Sequence, residues 1–368
     1  MSTPEPVAYR RSLLWLVAVG FFMQTLDATI INTALPAMAA SLGESPLRMQ
    51  SVIVSYALTM AMLIPASGWI ADRFGTRRVF FAAIVLFVIG SVACAASHGL
   101  TQLVISRIVQ GAGGALLLPV GRLALLRSVP RSQFVQAMSF VAIPGLIGPL
   151  LGPTLGGWLV EYASWHWIFL INVPVGIAGC IATLKFMPDL RAVILKRFDG
   201  MGYGLLAFGM VAVSLALDGV SELGLRQVGV LVLMVFGFAS LVAYWLHAAR
   251  RPDPLFSPEM LRIPTFSVGL LGNLFSRLGS GCMPFLVPLL LQVSMGFSPL
   301  HAGLTMLPIA LAGMAMKQAA APLITRYGYR RVLVVNTTLV GVSMATFALA
   351  APGQSMVLLV AQLLAFGA

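Results

Sequence analysis

Three charged side chains stand inside long apolar runs of the sequence: Asp27, Arg107 and Arg277. A charge at the centre of a membrane helix costs about 2.5 to 3.5 kcal/mol on insertion scales, so each is expected to face a cavity or a partner. A carboxylate placed there can act as a protonation switch, because taking up a proton cancels its charge and releases whatever held it. Asp27 lies about eight residues from the outer end of its run, ~12 Å at helical rise, and Arg107 about six residues inside another, ~9 Å. Opposite charges at comparable depth on different helices suggest a pair. Two other roles stay open: a permanent ion pair that only fixes helix packing and, for Arg107, snorkelling to the outer interface. Arg277 sits in mid-run, where it can contact a substrate or pair with a carboxylate.

The elements that must position these charges are membrane helices. Of the 368 residues, 59% are hydrophobic and 9% charged, whereas soluble domains run near a quarter charged. That balance excludes a cytosolic enzyme, a secreted disulfide scaffold and a disordered chain, and leaves an all-α polytopic membrane protein. Apolar runs matched to the hydrocarbon thickness give complete spans at roughly 13–35, 50–71, 79–97, 101–125, 135–160, 165–187, 200–218, 227–247, 265–294, 300–323 and 331–351. A twelfth begins near Ser355 and is still running at Ala368. Arg10-Arg11 before the first run imitates a signal peptide, but that run is too long and carries Asp27, so it reads as a retained span. With the N-terminus inside, 17 Lys and Arg fall in inner loops and 2 in outer loops, so the net charge of +12 is a topology signal rather than a mark of a nucleic-acid partner. Cys94, Cys180 and Cys282 lie singly in apolar runs and read as packing residues. The sequence Trp165-His166-Trp167 reads as an outer aromatic belt.

One inner loop occurs twice. Ala71-Asp72-Arg73-Phe74-Gly75-Thr76-Arg77-Arg78-Val79 returns as Ile324-Thr325-Arg326-Tyr327-Gly328-Tyr329-Arg330-Arg331-Val332. A general need for positive inner loops explains the arginines but not the glycine two residues ahead of them. Two parallel six-span halves would put six spans between such loops, and here roughly eight intervene, which points to two extra spans and about fourteen in a complete protein. The expected organisation is a six-span half at 1–190, two linker spans at 191–263 and part of a second half at 264–368, its C-terminal half truncated.

Four motifs together resemble the major facilitator superfamily, in particular its fourteen-span drug:proton antiporter branch. The loop Gly68-Trp69-Ile70-Ala71-Asp72-Arg73-Phe74-Gly75-Thr76-Arg77-Arg78 is similar to the family's signature between spans two and three. Gly68 would permit close helix approach, Asp72 would receive hydrogen bonds from an arginine or a helix N-terminus, and Gly75 would make the turn. With Arg73, Arg77 and Arg78 it would form an inner charge latch, asymmetric because Thr325 stands where the second copy would need an acid. Arg107-Ile108-Val109-Gln110-Gly111-Ala112-Gly113-Gly114 resembles the fourth-span motif. Its glycines fail the dinucleotide spacing and no strand precedes them. Leu26-Asp27-Ala28-Thr29-Ile30-Ile31-Asn32-Thr33-Ala34-Leu35-Pro36 resembles the first-span motif, and Gly145, Gly148-Pro149, Gly152-Pro153 and Gly156-Gly157 resemble the antiporter motif on span five. Gly148, Gly152 and Gly156 recur every fourth residue and would open one helix face to a close neighbour, which serves a gate seal and ordinary packing alike.

The resemblance implies a secondary transporter in a bacterial-type inner membrane, exporting small molecules of multidrug type in exchange for protons, as a monomer with alternating access. It also implies that Asp27, Asn32, Arg107, Gln110 and Arg277 lie on the proton and substrate path. Since basic residues outnumber acids at depth, export of an anionic metabolite such as an organic acid is the alternative, and an inactive remnant is a third. No convergent nucleophile, acid/base or metal set stands in the sequence, so neither an enzyme nor a cofactor is expected. His98, His166, His247 and His301 are scattered without metal-ligand spacing.

Overall fold

A computed structural model describes residues 11–192, 197–219, 227–347 and 355–367. Arg10, Lys196 and Arg226 of the loop count, and Ala368 at the end of the twelfth run, lie outside these residues. The described residues form helices α1 (Arg11–Leu42), α2 (Gln50–Phe74), α3 (Thr76–Ala95), α4 (Leu100–Ser128), α5 (Arg131–Tyr162), α6 (Trp167–Leu170), α7 (Asn172–Phe186), α8 (Gly200–Gly219) and α9 (Gln227–Ala248). They continue as α10 (Pro264–Ser280), α11 (Met283–Leu289), α12 (Pro299–Thr305), α13 (Leu307–Tyr327), α14 (Tyr329–Thr346) and α15 (Met356–Gly367). Nine helical stretches among the described residues are long and apolar enough to cross a membrane.

Every expected span has a helix, but three are not continuous. That expected at 165–187 is interrupted at Ile171, between α6 and α7. The span expected at 265–294 breaks after Ser280, where Gly281 leaves the helix and Pro284 starts the next one, and it finishes as a π-helical turn, Leu290–Ser294. The span expected at 300–323 breaks at Met306, ahead of Pro308. Proline lacks the amide that would continue the preceding ladder and is tolerated in the first turn of a new helix, which explains the latter two breaks.

The chain divides into two compact units. The first comprises Met1–Phe21, Leu47–Pro144 and Phe169–Ser267; the second comprises Phe22–Pro46, Gly145–Ile168 and Val268–Ala368. In the first, α4 packs against α2 and α3, α3 against α7, and α8 against α9. Side chains on α8 and α9 are mostly half-buried or exposed and apolar, as a helix pair bathed in lipid requires. In the second, a core of Met283, Val287, Leu291, Ala302, Met306, Leu359 and Leu363 joins α11, α12 and α15. Cys94 is packed as expected, whereas Cys282 is exposed at the helix break. Trp165 is also buried, stacked on His166 with ring centroids 3.7 Å apart, so only Trp167 has the exposure of an interfacial belt.

Candidate functional site

In the first unit the most buried charge is Arg107, at 1% exposure, which removes snorkelling as its role. Its guanidinium lies 4.0 Å from the centre of the Tyr56 ring. It donates to Gln110 Oε1 at 2.6 Å and to the Val52 carbonyl at 3.3 Å. Gln110 Nε2 in turn donates to Ser91 Oγ at 2.8 Å, and Asn172 Nδ2 reaches the same hydroxyl at 3.3 Å. A desolvated guanidinium is tolerable because α2, α3 and α7 supply a ring face and polar groups around α4. The glycines beside Arg107 serve this packing. A Cβ at Gly113 would stand 2.4 Å from the Phe87 amide nitrogen, and one at Gly90 would stand 2.4 Å from the amide nitrogen of Gln110. Backbone contact between α3 and α4 therefore places Gln110 against Ser91.

The signature loop between α2 and α3 turns at Gly75, whose φ of 91° suits glycine, and its amide closes α2 on the Ala71 carbonyl at 2.9 Å. Asp72 receives a hydrogen bond from Arg127 Nη2 at 2.6 Å, with both side chains under a third exposed. Arg73 lies over the Trp69 and Phe74 rings, and Arg78 is exposed. Gly68 departs from expectation here, since among the described residues a Cβ there would meet nothing within 4 Å. It sits on an open face of α2.

Residues 187–192, beyond α7, lie across this loop, a contact that no motif indicated. The buried Thr76 hydroxyl donates to the Pro188 carbonyl at 2.6 Å and accepts from the Leu190 amide at 3.0 Å. The Thr76 amide donates to the Leu190 carbonyl at 3.1 Å, Arg77 Nε donates to the Met187 carbonyl, and the Ala192 amide reaches the Asp72 carbonyl at 3.4 Å. Gly75 is needed a second time here, because a Cβ would fall 2.1 Å from Asp189 Oδ1.

In the second unit Asp27 is 2% exposed and Asn32 5%. The three-glycine face of α5 lies against this stretch of α1: a Cβ at Gly148 would stand 2.4 Å from Thr25 Oγ1, at Gly152 2.2 Å from Thr29 Oγ1, and at Gly156 2.5 Å from the Ile30 carbonyl. The threonines then bond across the contact, Thr29 to the Gly148 carbonyl at 3.3 Å and Thr33 to the Pro153 carbonyl at 3.2 Å. Gly145 is buried and Pro149 exposed. Gly157 belongs to a second tight face, where its Cβ would meet the Pro299 carbonyl at 2.2 Å, and Thr154 donates to the Gly303 carbonyl at 3.3 Å. Gln292, in the π-turn, donates to the Thr33 carbonyl at 2.9 Å. Arg277 stands apart from these contacts, exposed on α10 with Nε on Asn273 Oδ1 at 3.0 Å. No three His, Cys, Asp or Glu among the described residues are grouped to hold a metal.

Buried single charges on long apolar helices, glycine-lined helix contacts and a basic turn used twice define a multi-pass membrane protein of the secondary-transporter type. The chain belongs to the Major Facilitator Superfamily, which it matches over residues 17–368. It is 55% identical over 351 residues to a Pectobacterium atrosepticum protein named as a candidate multidrug resistance protein, MdtD, covering 95% of this chain and 74% of that one. A Serratia proteamaculans protein of the same name is 56% identical over 338 residues, covering 92% and 71%. Among solved structures, a POT family transporter in complex with 5-aminolevulinic acid superposes with a TM-score of 0.71 at 16% identity, covering 99% of this chain and 83% of that one. A D-xylose-proton symporter superposes at 0.65 and 17% identity, covering 97% and 79%. These two likenesses establish the fold.

Proposed function

We propose that this chain is a secondary active transporter that exports small molecules of multidrug type, driven by protons entering through Asp27, with its N-terminus in the cytoplasm of a bacterial-type inner membrane. Family membership and the names of the relatives support transport and its substrate class; the inner excess of Lys and Arg supports the orientation. The organisation that suits this reading is a six-span half at 1–190, linker spans at 191–263 and part of a second half at 264–368, working as a monomer. The carrying observation is the Asp27 carboxylate, 2% exposed in the middle of α1 and beside the glycine-faced contact with α5. A carboxylate so placed gains or loses a charge on each proton exchange and can bias a two-state helix packing. One proton crossing 100 mV supplies about 2.3 kcal/mol, enough for roughly a 50-fold export gradient of a neutral substrate. The Asp72 and Arg127 pair acts as the inner latch, made in one state and broken in the other.

Asp27→Asn in vesicles is expected to insert normally and lose proton-driven export by at least about tenfold. Export at the wild-type rate would overturn the coupling role. A second reading, export of an organic anion, rests on the excess of basic over acidic side chains within the apolar runs, Arg107 and Arg277 against Asp27. Parallel uptake of a lipophilic cation and an organic acid into inverted vesicles separates the two.

A further inference from the structure

We infer that the cavity beside the end of α9 binds the phosphodiester headgroup of an anionic phospholipid. It encloses about 470 Å³ and is lined by Trp245, Arg251, Pro252, Pro254, Pro258 and Arg262 among others. Two arginines line it beside one acid, Glu259, and Asp199 balances Arg251 from outside the lining, so recognition rests on paired guanidinium donors rather than on net charge. Guanidinium groups recognise phosphate oxygens in a planar, two-pronged geometry, and basic pockets at helix ends are where anionic headgroups bind. The position fits a lipid better than a soluble anion. The cavity begins at the last turn of a lipid-bathed helix, and around it Trp245, Phe256, Met260 and Ile263 are each about half exposed, which provides an apolar rim for acyl chains beside a charged floor.

The site is also built in advance of its ligand. The Tyr244 hydroxyl accepts from the Phe256 amide at 2.8 Å and donates to the Phe256 carbonyl at 3.3 Å, which ties the loop between the lining residues Pro254 and Ser257 to α9. Arg251 is held by Asp199, whose Oδ1 lies 3.7 Å from its Nε, and its side chain is 46% exposed. Three prolines stiffen the intervening loop. Little ordering remains to be done on binding, which favours affinity.

This inference rests on the membrane-spanning reading but not on transport, so lipid retention is the readout. The purified full chain, presented with equal phosphatidylglycerol and phosphatidylcholine, is expected to retain phosphatidylglycerol in native mass spectra. Arg251→Gln with Arg262→Gln should reduce that preference about tenfold or more. The lysine double variant should keep part of it, and Arg250→Gln, outside the lining, should keep all of it. Phosphatidylglycerol should also raise the melting temperature of wild type and not of the glutamine double variant. Equal retention by that variant would overturn the site, and displacement of the lipid by millimolar inorganic phosphate would overturn the lipid as its ligand.

Discussion

The two copies of the inner loop share one backbone and live in different surroundings. Gly75 and Gly328 turn at φ 91° and 79°, and each sends its amide 2.9 Å to the carbonyl four residues back. Around Gly75, however, are the Asp72 and Arg127 pair and the overlying residues 187–192. Around Gly328, among the described residues, a Cβ would meet nothing within 4 Å. Thr325, at the position of Asp72, turns its hydroxyl to its own helix at Pro322. The sequence repeat thus specifies the turn, while neighbours decide what the turn is tied to.

The strongest way to break this comparison is to add one methyl to each glycine. Gly75→Ala must both adopt a left-handed backbone and displace Asp189, an expected loss of about 3 kcal/mol, against about 1 kcal/mol for Gly328→Ala, which meets the backbone term alone. Melting in detergent measures both, and equal shifts would remove the distinction. Thr76→Val leaves the Pro188 carbonyl and the Leu190 amide without their hydroxyl partner, an expected loss of about 1 to 3 kcal/mol. In the second copy Thr325→Val, at the position of Asp72, should be within about 0.5 kcal/mol of wild type, as a surface substitution.

Acid sharpens the same contrast. Asp199 precedes α8 next to Phe198, which packs on Trp69 near the first loop. Burial works to raise the Asp199 pKa, but His247 Nε2 at 2.8 Å, the Gly202 amide, and the charges of His247 and Arg251 outweigh it and hold it below the ordinary carboxylate value. A depressed pKa means that the stabilisation is complete above about pH 4, the unfolded value, and is lost as pH falls through the folded value. Wild type should therefore lose melting temperature in that acid window and Asp199→Asn should lose less. Asp72→Asn should also cost little stability, under about 1 kcal/mol because the pair is partly exposed. Its transport rate should nevertheless fall, and a rate equal to wild type would deny Asp72 the latch role.

What could be read beforehand was whatever side-chain type dictates. Apolar length gave the helices, the four-residue glycine period gave the α5 face that meets α1, and the cost of a charge in lipid anticipated the burial of Asp27 and Arg107. The residues that clasp the first loop were missed because Met187, Pro188 and Leu190 engage it through carbonyls and an amide, and backbone groups carry no residue-specific signal. The second tight face of α5 escaped because its partner, at Pro299 and Gly303, lies far along the chain. The break at Gly281 had a local sign in the glycine and in the prolines at 284 and 288, but an apolar run masked it.

The backbone contact of α3 with α4 has a mechanical meaning. With Gly90 and Gly113 each admitting the opposite main chain, a slide of one residue, ~1.5 Å, would drive a side chain into backbone. The two helices are locked in register like meshed teeth. Whatever rearrangement carries a substrate across the membrane, this pair travels as a single strut and delivers Arg107 and Ser91 together.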